Sequence, residues 1–219
     1  MEYQNINKQE KYWDSEVSNF DAIYSHKKSK FSNYLDKKLR WDMYRRFDYT
    51  MENSEPIEGK TFLDIGCGTG RFSLEFARRK AKEVVGIDIS ANMIDVCNKR
   101  AKDENLGNIC SFIKTDPFEY KTDKMFNVSI GIGLFDYIID CIPVIKRMRE
   151  LSNEKIILTF PKKWSLRAFI RYVRLNLRGC DVYFFTLKKI DNIMKEAGLT
   201  KYRVEKFGQL YGVTAYIQK

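Results

Sequence analysis

The stretch FLDIGCGTG, residues 62–70, decides the fold. A short β-forming run leads directly into Gly66, Gly68 and Gly70, and a helical pattern starts near Arg71. Glycine at alternate positions lets the backbone turn, and approach a ligand, where a Cβ would be in the way. Eighteen residues after Gly70, Asp88 closes a second β run, EVVGIDI (83–89), where a carboxylate can accept hydrogen bonds from both hydroxyls of a ribose. A third run, CSFIKTD (110–116), ends in Asp116. FNVSIGIG (126–133) and KIILTFP (155–161) follow, each rich in β-branched or aromatic residues and separated by helix-length stretches. That alternation predicts a parallel, doubly wound α/β sheet. A helix over 187–197, with Thr186 as N-cap and Gly198 just past its end, and strands near 200–207 and 211–218 bring the expected strand count to seven.

Outward from this core, the first sixty residues read as helical, because Phe31, Leu35, Leu39, Met43 and Phe47 recur every fourth position. Pro56, Glu58 and Gly59 break the pattern, so 1–58 is expected to be a helical cap, its first fifty residues a mobile lid, and 59–219 the α/β domain. The 219 residues fit one domain with such an appendage. With 31% charged residues, no apolar run near eighteen residues and no leader-like start, a transmembrane span and a secretory signal are not expected, and a cytoplasmic location is. Five cysteines without Cys-x-x-Cys spacing and one histidine argue against a disulfide scaffold, a zinc site and a serine hydrolase triad; no metal is expected. The net charge of +10 is local: nine of the ten excess positive charges fall in residues 162–219.

The glycine turn, Asp88 and Asp116, each at the end of successive β runs, resemble class I S-adenosylmethionine-dependent methyltransferases, with their Rossmann-like fold, over residues 60–160. Asp64 within the turn sets it apart from a dinucleotide site, since a pyrophosphate would meet a negative charge there while a methionine ammonium would be attracted. The resemblance implies S-adenosyl-L-methionine as cofactor and S-adenosyl-L-homocysteine as product. It implies that Asp64 orients the methionine portion, that Gly66, Cys67, Gly68 and Gly70 line the turn, that Asp88 binds ribose, and that Ile89 covers adenine with Met93 nearby. Asp116, Pro117 and Phe118 are then expected at the adenine edge, and Gly131 and Ile132, leading to Gly133, beside the methionine part and the transferable methyl.

Nucleic-acid amino-methyltransferases of this fold carry an Asn- or Asp-Pro-Pro-aromatic turn after the fourth strand; here that place reads GLFDY, 133–137. A small-molecule acceptor is therefore expected, methylated at O or N. The layout is similar to methyltransferases acting on ubiquinone precursors and magnesium-protoporphyrin, with Asp136 where several of those carry histidine. Asp136 and Tyr137 are candidates to take or orient an acceptor proton, though a carboxylate at a helix start also reads as a cap. His26 has a suitable intrinsic pKa but sits in a polar turn, SHKKSK; Tyr24 reads equally as lid or as helix packing. From Lys162 to Cys180 there are six basic residues and no acidic one. Arg167, Arg171, Arg174 and Arg178 form one stripe of a basic helical insertion over 162–183, about 100° from an apolar stripe. The stripe reads as recognition of an anionic acceptor, as a solvated face, as peripheral membrane docking, or as contact with RNA phosphates, which defines an RNA-methylating alternative. A binding module without turnover is the non-enzymatic alternative.

Overall fold

A computed structural model describes residues 9–15, 41–163 and 181–218. Its centre is a seven-stranded sheet of β1 (Thr61–Ile65), β2 (Glu83–Asp88), β3 (Cys110–Lys114), β4 (Phe126–Gly131), β5 (Ser152–Pro161), β6 (Tyr202–Phe207) and β7 (Leu210–Tyr216). The strand order is β3-β2-β1-β4-β5-β7-β6, parallel except for β7, which runs antiparallel to both β5 and β6. The chain winds outward from β1 to β3, then returns to lay β4 on β1's other edge. The order reverses between β1 and β4, and in open α/β sheets ligands bind in the crevice outside the carboxyl ends of the strands at such a point.

Side chains alternate between the two faces of each strand, so β1 supplies both halves of the core. Leu63 and Ile65 pack with α4 (Ile142–Glu150) and α5 (Leu187–Glu196), in a cluster that includes Ile145, Met148, Ile190 and Met194. Phe62 points the other way, its ring stacked at 4.1 Å on Phe76 of α2 (Arg71–Arg78). Asp64, two residues after Phe62, shares that face and meets Ser73 of α2. Ser90 caps α3 (Ala91–Asp103), its hydroxyl accepting from Met93 N–H at 3.2 Å.

Thr186 accepts from Lys189 N–H, and Gly198 adopts φ +75, as their sequence positions implied. The β5 strand begins three residues earlier than expected, at Ser152, because Phe126 pairs with it and the ladder recruits the polar residues Ser152–Glu154. β3 ends earlier, at Lys114, and β4 at Gly131.

The first fifty residues were expected to stand apart as a lid, and for 41–50 that is corrected. Helix α1 (Trp41–Ser54) lies on the strands β5, β6 and β7. Its Tyr49 and Thr50 are fully buried, and Tyr49 Oη shares a 2.7 Å hydrogen bond with Thr214 Oγ1. Gly212 makes this possible: a Cβ there would fall 2.5 Å from the Tyr49 ring. The insertion expected over 162–183 is corrected at its far end, where 181–183 is not helical. Tyr183 N–H instead donates to Asp136 O, and Phe185 forms a bridge with Lys162. Arg167, Arg171, Arg174 and Arg178 lie outside the described residues, as do Tyr24 and His26.

Candidate active site

The glycine turn leaves β1 with Gly66, Gly68 and Gly70 all at positive φ (72°, 54° and 77°), a region L side chains rarely occupy. A Cβ on Gly66 would also meet Leu134 Cδ1 at 2.9 Å, so that leucine would have to shift. Several bonds hold the turn against its neighbours: Gly66 and Cys67 N–H both donate to Ile87 O, and Cys97 Sγ lies 3.0 Å from Gly68 O. Arg100 donates to Thr69 O at 3.0 Å. Thr69 Oγ1 is buried and, among the described residues, has no hydrogen-bond partner.

Asp88 joins the turn to the end of β2. Its Oδ2 accepts from Gly68 N–H at 2.9 Å and its Oδ1 from Ser90 N–H at 3.0 Å. Burial lifts its pKa, opposed by those amides. Each oxygen keeps a second lone pair, so the carboxylate can fix the turn and still receive two hydroxyls. Asp64 is 1% exposed and accepts from Ser73 Oγ at 2.6 Å. Burial pushes its pKa up to about 7, with the Ser73 bond opposing and the Asp88 charge adding to the rise.

Cys67, Cys97, Cys110 and Cys141 are free and buried, as apolar filling. The Cys97 thiol, and then burial, hold Cys67 well above the usual thiol range. Met93 is buried and Ile89 half-buried at the start of α3. Asp116 accepts from Phe118 N–H at 2.6 Å and Glu119 N–H at 3.0 Å, and the Phe118 side chain stands 54% exposed. On the β4 side, Gly131 and Ile132 are buried, and a Cβ on Gly131 would meet Phe135 at 3.0 Å. Gly133 N–H donates to Thr159 Oγ1.

The reading of Asp136 as a helix cap is corrected. Its side chain is enclosed and lies 3.9 Å from Arg46 Nη2, because Phe135 is drawn into the core against Phe160 and takes the turn inward with it. The carboxylate that accepts from the first turn of α4 is Asp140, at Ile142 N–H. Tyr137 meets Trp13 edge-on at 4.9 Å.

The expected lid over the first fifty residues named neither Arg46, which comes from α1, nor the contacts of residues 9–15, a short helix that lies against the ends of β2 and β3 and the turn after β4. Asp14 accepts from Ser90 Oγ at 2.6 Å and from Asn92 N–H, Gln9 donates to Tyr137 O, and Glu10 pairs with Lys114 at 2.6 Å. No local pattern signals these contacts, which join residues more than seventy positions apart.

The donor set suits an adenosyl-methionine sulfonium: a carboxylate for ribose hydroxyls, glycines for close approach, an orphaned threonine hydroxyl within the turn, and a buried carboxylate for an ammonium. This strand order with this turn is the architecture of the class I S-adenosylmethionine-dependent methyltransferases. A sequence profile described as "Methyltransferase domain" matches residues 57–198, and the chain belongs to that family. The crystal structure of magnesium protoporphyrin IX methyltransferase from Synechocystis PCC 6803 with bound SAH superposes with a TM-score of 0.76 at 18% identity, covering 95% of this chain and 98% of that one. Demethylmenaquinone methyltransferase from Bacillus subtilis is 28% identical over 209 residues, 81% of this chain and 88% of that protein. Ribosomal protein arginine N-methyltransferase rmt3 from Schizosaccharomyces pombe is 32% identical over 105 residues, 48% of this chain but only 17% of its own length.

Proposed function

We propose that this chain transfers a methyl group from S-adenosylmethionine to an oxygen or nitrogen of a small, anionic acceptor. The observation that carries the reading is the pairing of Asp88 with the glycine turn on one side of the crevice and the Gly131–Gly133 turn on the other. Two relatives that match this chain over most of both lengths are named for small-molecule acceptors, magnesium protoporphyrin IX and demethylmenaquinone. The concentration of positive charge after residue 162 supports the anionic character.

When bound, the sulfonium supplies an electrophilic methyl group. The chain's part is alignment and exclusion of water. Asp88 and the turn amides fix the ribose, Asp64 and Thr69 hold the amino-acid end, and the shelf of Ile89, Asp116, Pro117 and Phe118 takes the adenine. Gly131 and Ile132 let the methyl face the acceptor, whose recognition falls to the Gly133–Tyr137 turn. The strap of residues 9–15 closes over the ribose edge through Asp14.

Two measurements check this reading. With methyl-labelled S-adenosylmethionine, label is expected to enter small carboxylates or phosphates bearing a hydroxyl or amine; label found only in RNA or protein would overturn the proposal, the RNA result favouring the RNA-methylating alternative. In hydrogen exchange, amides of 9–15 are expected to slow at least severalfold when S-adenosylhomocysteine is added. Equal, strong protection with and without it would remove the strap's closing role.

Among the described residues, no helix is long and apolar enough to cross a membrane.

A further inference from the structure

Arg46 reaches from α1 to the turn that leaves β4. Its guanidinium lies against Gly133, where a Cβ would fall 2.5 Å from Nη1, and Gly133 holds φ +76. Nη2 stands 3.9 Å from Asp136 Oδ2, close enough for charge attraction and too far for a hydrogen bond. Nε is buried and, among the described residues, has no hydrogen-bond partner. The arginine side chain retains 16% exposure, whereas that of Asp136 retains 1%, so the guanidinium is the member of the pair a ligand can touch.

A guanidinium presents five donors in a plane, and burying them unsatisfied is costly. Asp136 compensates the charge without filling the donor positions. An arginine used only for packing would close its fork on a carboxylate or a carbonyl, whereas this guanidinium stands 3.9 Å from Asp136 with Nε unfilled among the described residues.

We propose that Arg46 binds the anionic group of the methyl acceptor, a carboxylate or phosphate, with Asp136 as the buried counter-charge that holds the guanidinium when no acceptor is present. The assignment rests on the anionic-acceptor reading above, and it supplies that reading with a named residue. Three features support it. The planar fork matches two oxygens of a carboxylate or phosphate. Gly133 brings the guanidinium against the turn that follows Gly131 and Ile132, the stretch assigned to the transferable methyl. Thr159 fixes that turn by accepting from Gly133 N–H at 2.9 Å, so the distance from anion to reacting atom would be set by rigid elements.

The test uses the full chain with S-adenosylhomocysteine bound, titrated by ligand-observed NMR with benzoate, inorganic phosphate and the neutral benzamide. At least one of the two anions is expected to bind at least tenfold more tightly than benzamide. Arg46→Gln is expected to erase that preference while leaving benzamide and S-adenosylhomocysteine binding within twofold of wild type. Arg46→Lys, which keeps the charge but loses the fork, is expected to weaken the preferred anion severalfold, and it serves as the reading if the glutamine variant does not fold. A wild type that prefers anions together with Arg46 variants that do so equally would overturn the role of Arg46 and leave the anionic acceptor standing. A wild type that binds benzoate and phosphate no better than benzamide would overturn both.

Discussion

Asp88→Ala is expected to raise the dissociation constant for S-adenosylhomocysteine at least a hundredfold. Two ribose hydroxyls would each lose a charge-assisted bond worth about 1.5–3 kcal/mol, so the total loss is roughly 3–6 kcal/mol, where every 1.4 kcal/mol is tenfold. The same substitution also frees Gly68 N–H and Ser90 N–H, which Asp88 holds at 2.9 and 3.0 Å, so the turn loses its anchor to β2. Asp88→Asn retains one acceptor oxygen and is expected to fall between the two. Titration calorimetry on variants whose circular dichroism matches wild type separates binding from folding. An Asp88→Ala protein that folds and binds with unchanged affinity would remove the ribose assignment.

Asp64 gives the second large effect, and it depends on pH. Burial pushes the native pKa up to about 7 from the ordinary 3.8 of an aspartate, so the folded protein holds this proton more tightly than the unfolded chain. The associated stabilisation is fully present below about pH 4 and is lost as pH rises through about 7, a span of roughly 4 kcal/mol at about 1.4 kcal/mol per unit. Asp64→Asn carries no such charge. It is therefore expected to melt at a higher temperature than wild type at pH 8, and to show no advantage at pH 4. Binding should move the other way. A methionine ammonium favours the ionised carboxylate, so wild-type affinity for S-adenosylhomocysteine is expected to rise about tenfold per unit up to about pH 7 and then level, with release of nearly one proton at pH 6. The asparagine variant should bind more weakly at pH 8 and show no such slope. Matching pH profiles in the two proteins would show that Asp64 does not meet the ammonium.

These two carboxylates also mark how much of the site was legible in the sequence. Asp64 and Asp88 were found because each sits at a fixed offset from glycines that end a β run, and local backbone geometry carries that signal. Their second roles were not legible. That Asp64 would bond Ser73 follows only once β1 is known to turn Phe62 and Asp64 toward α2. The sheet could be read because its central strands β1, β2 and β4 are short and almost wholly buried, which leaves little choice of element. Helix α1 was misjudged for the opposite reason. Its apolar spacing showed that one face must be covered, but not by what, and the partner, Gly212, lies over 160 residues away from Tyr49. Asp136 illustrates the same gap. In GLFDY it looks like an accessible acid, yet Phe135 packs against Phe160 and draws it under the surface beside Arg46. Long-range pairings of this kind leave no local periodicity.

In the proposed function, the crevice between β1 and β4 holds the methyl donor, with its ribose on Asp88 and its sulfur at the Gly131–Gly133 turn. A crystal structure of the protein with S-adenosylhomocysteine tests this most directly. The expected result places both ribose hydroxyls within about 3 Å of the Asp88 carboxylate, the homocysteine ammonium toward Asp64, and the sulfur facing Gly131–Gly133. Density for the ligand elsewhere, or an Asp88 bonded only to Gly68 and Ser90 with the ribose turned away, would contradict it.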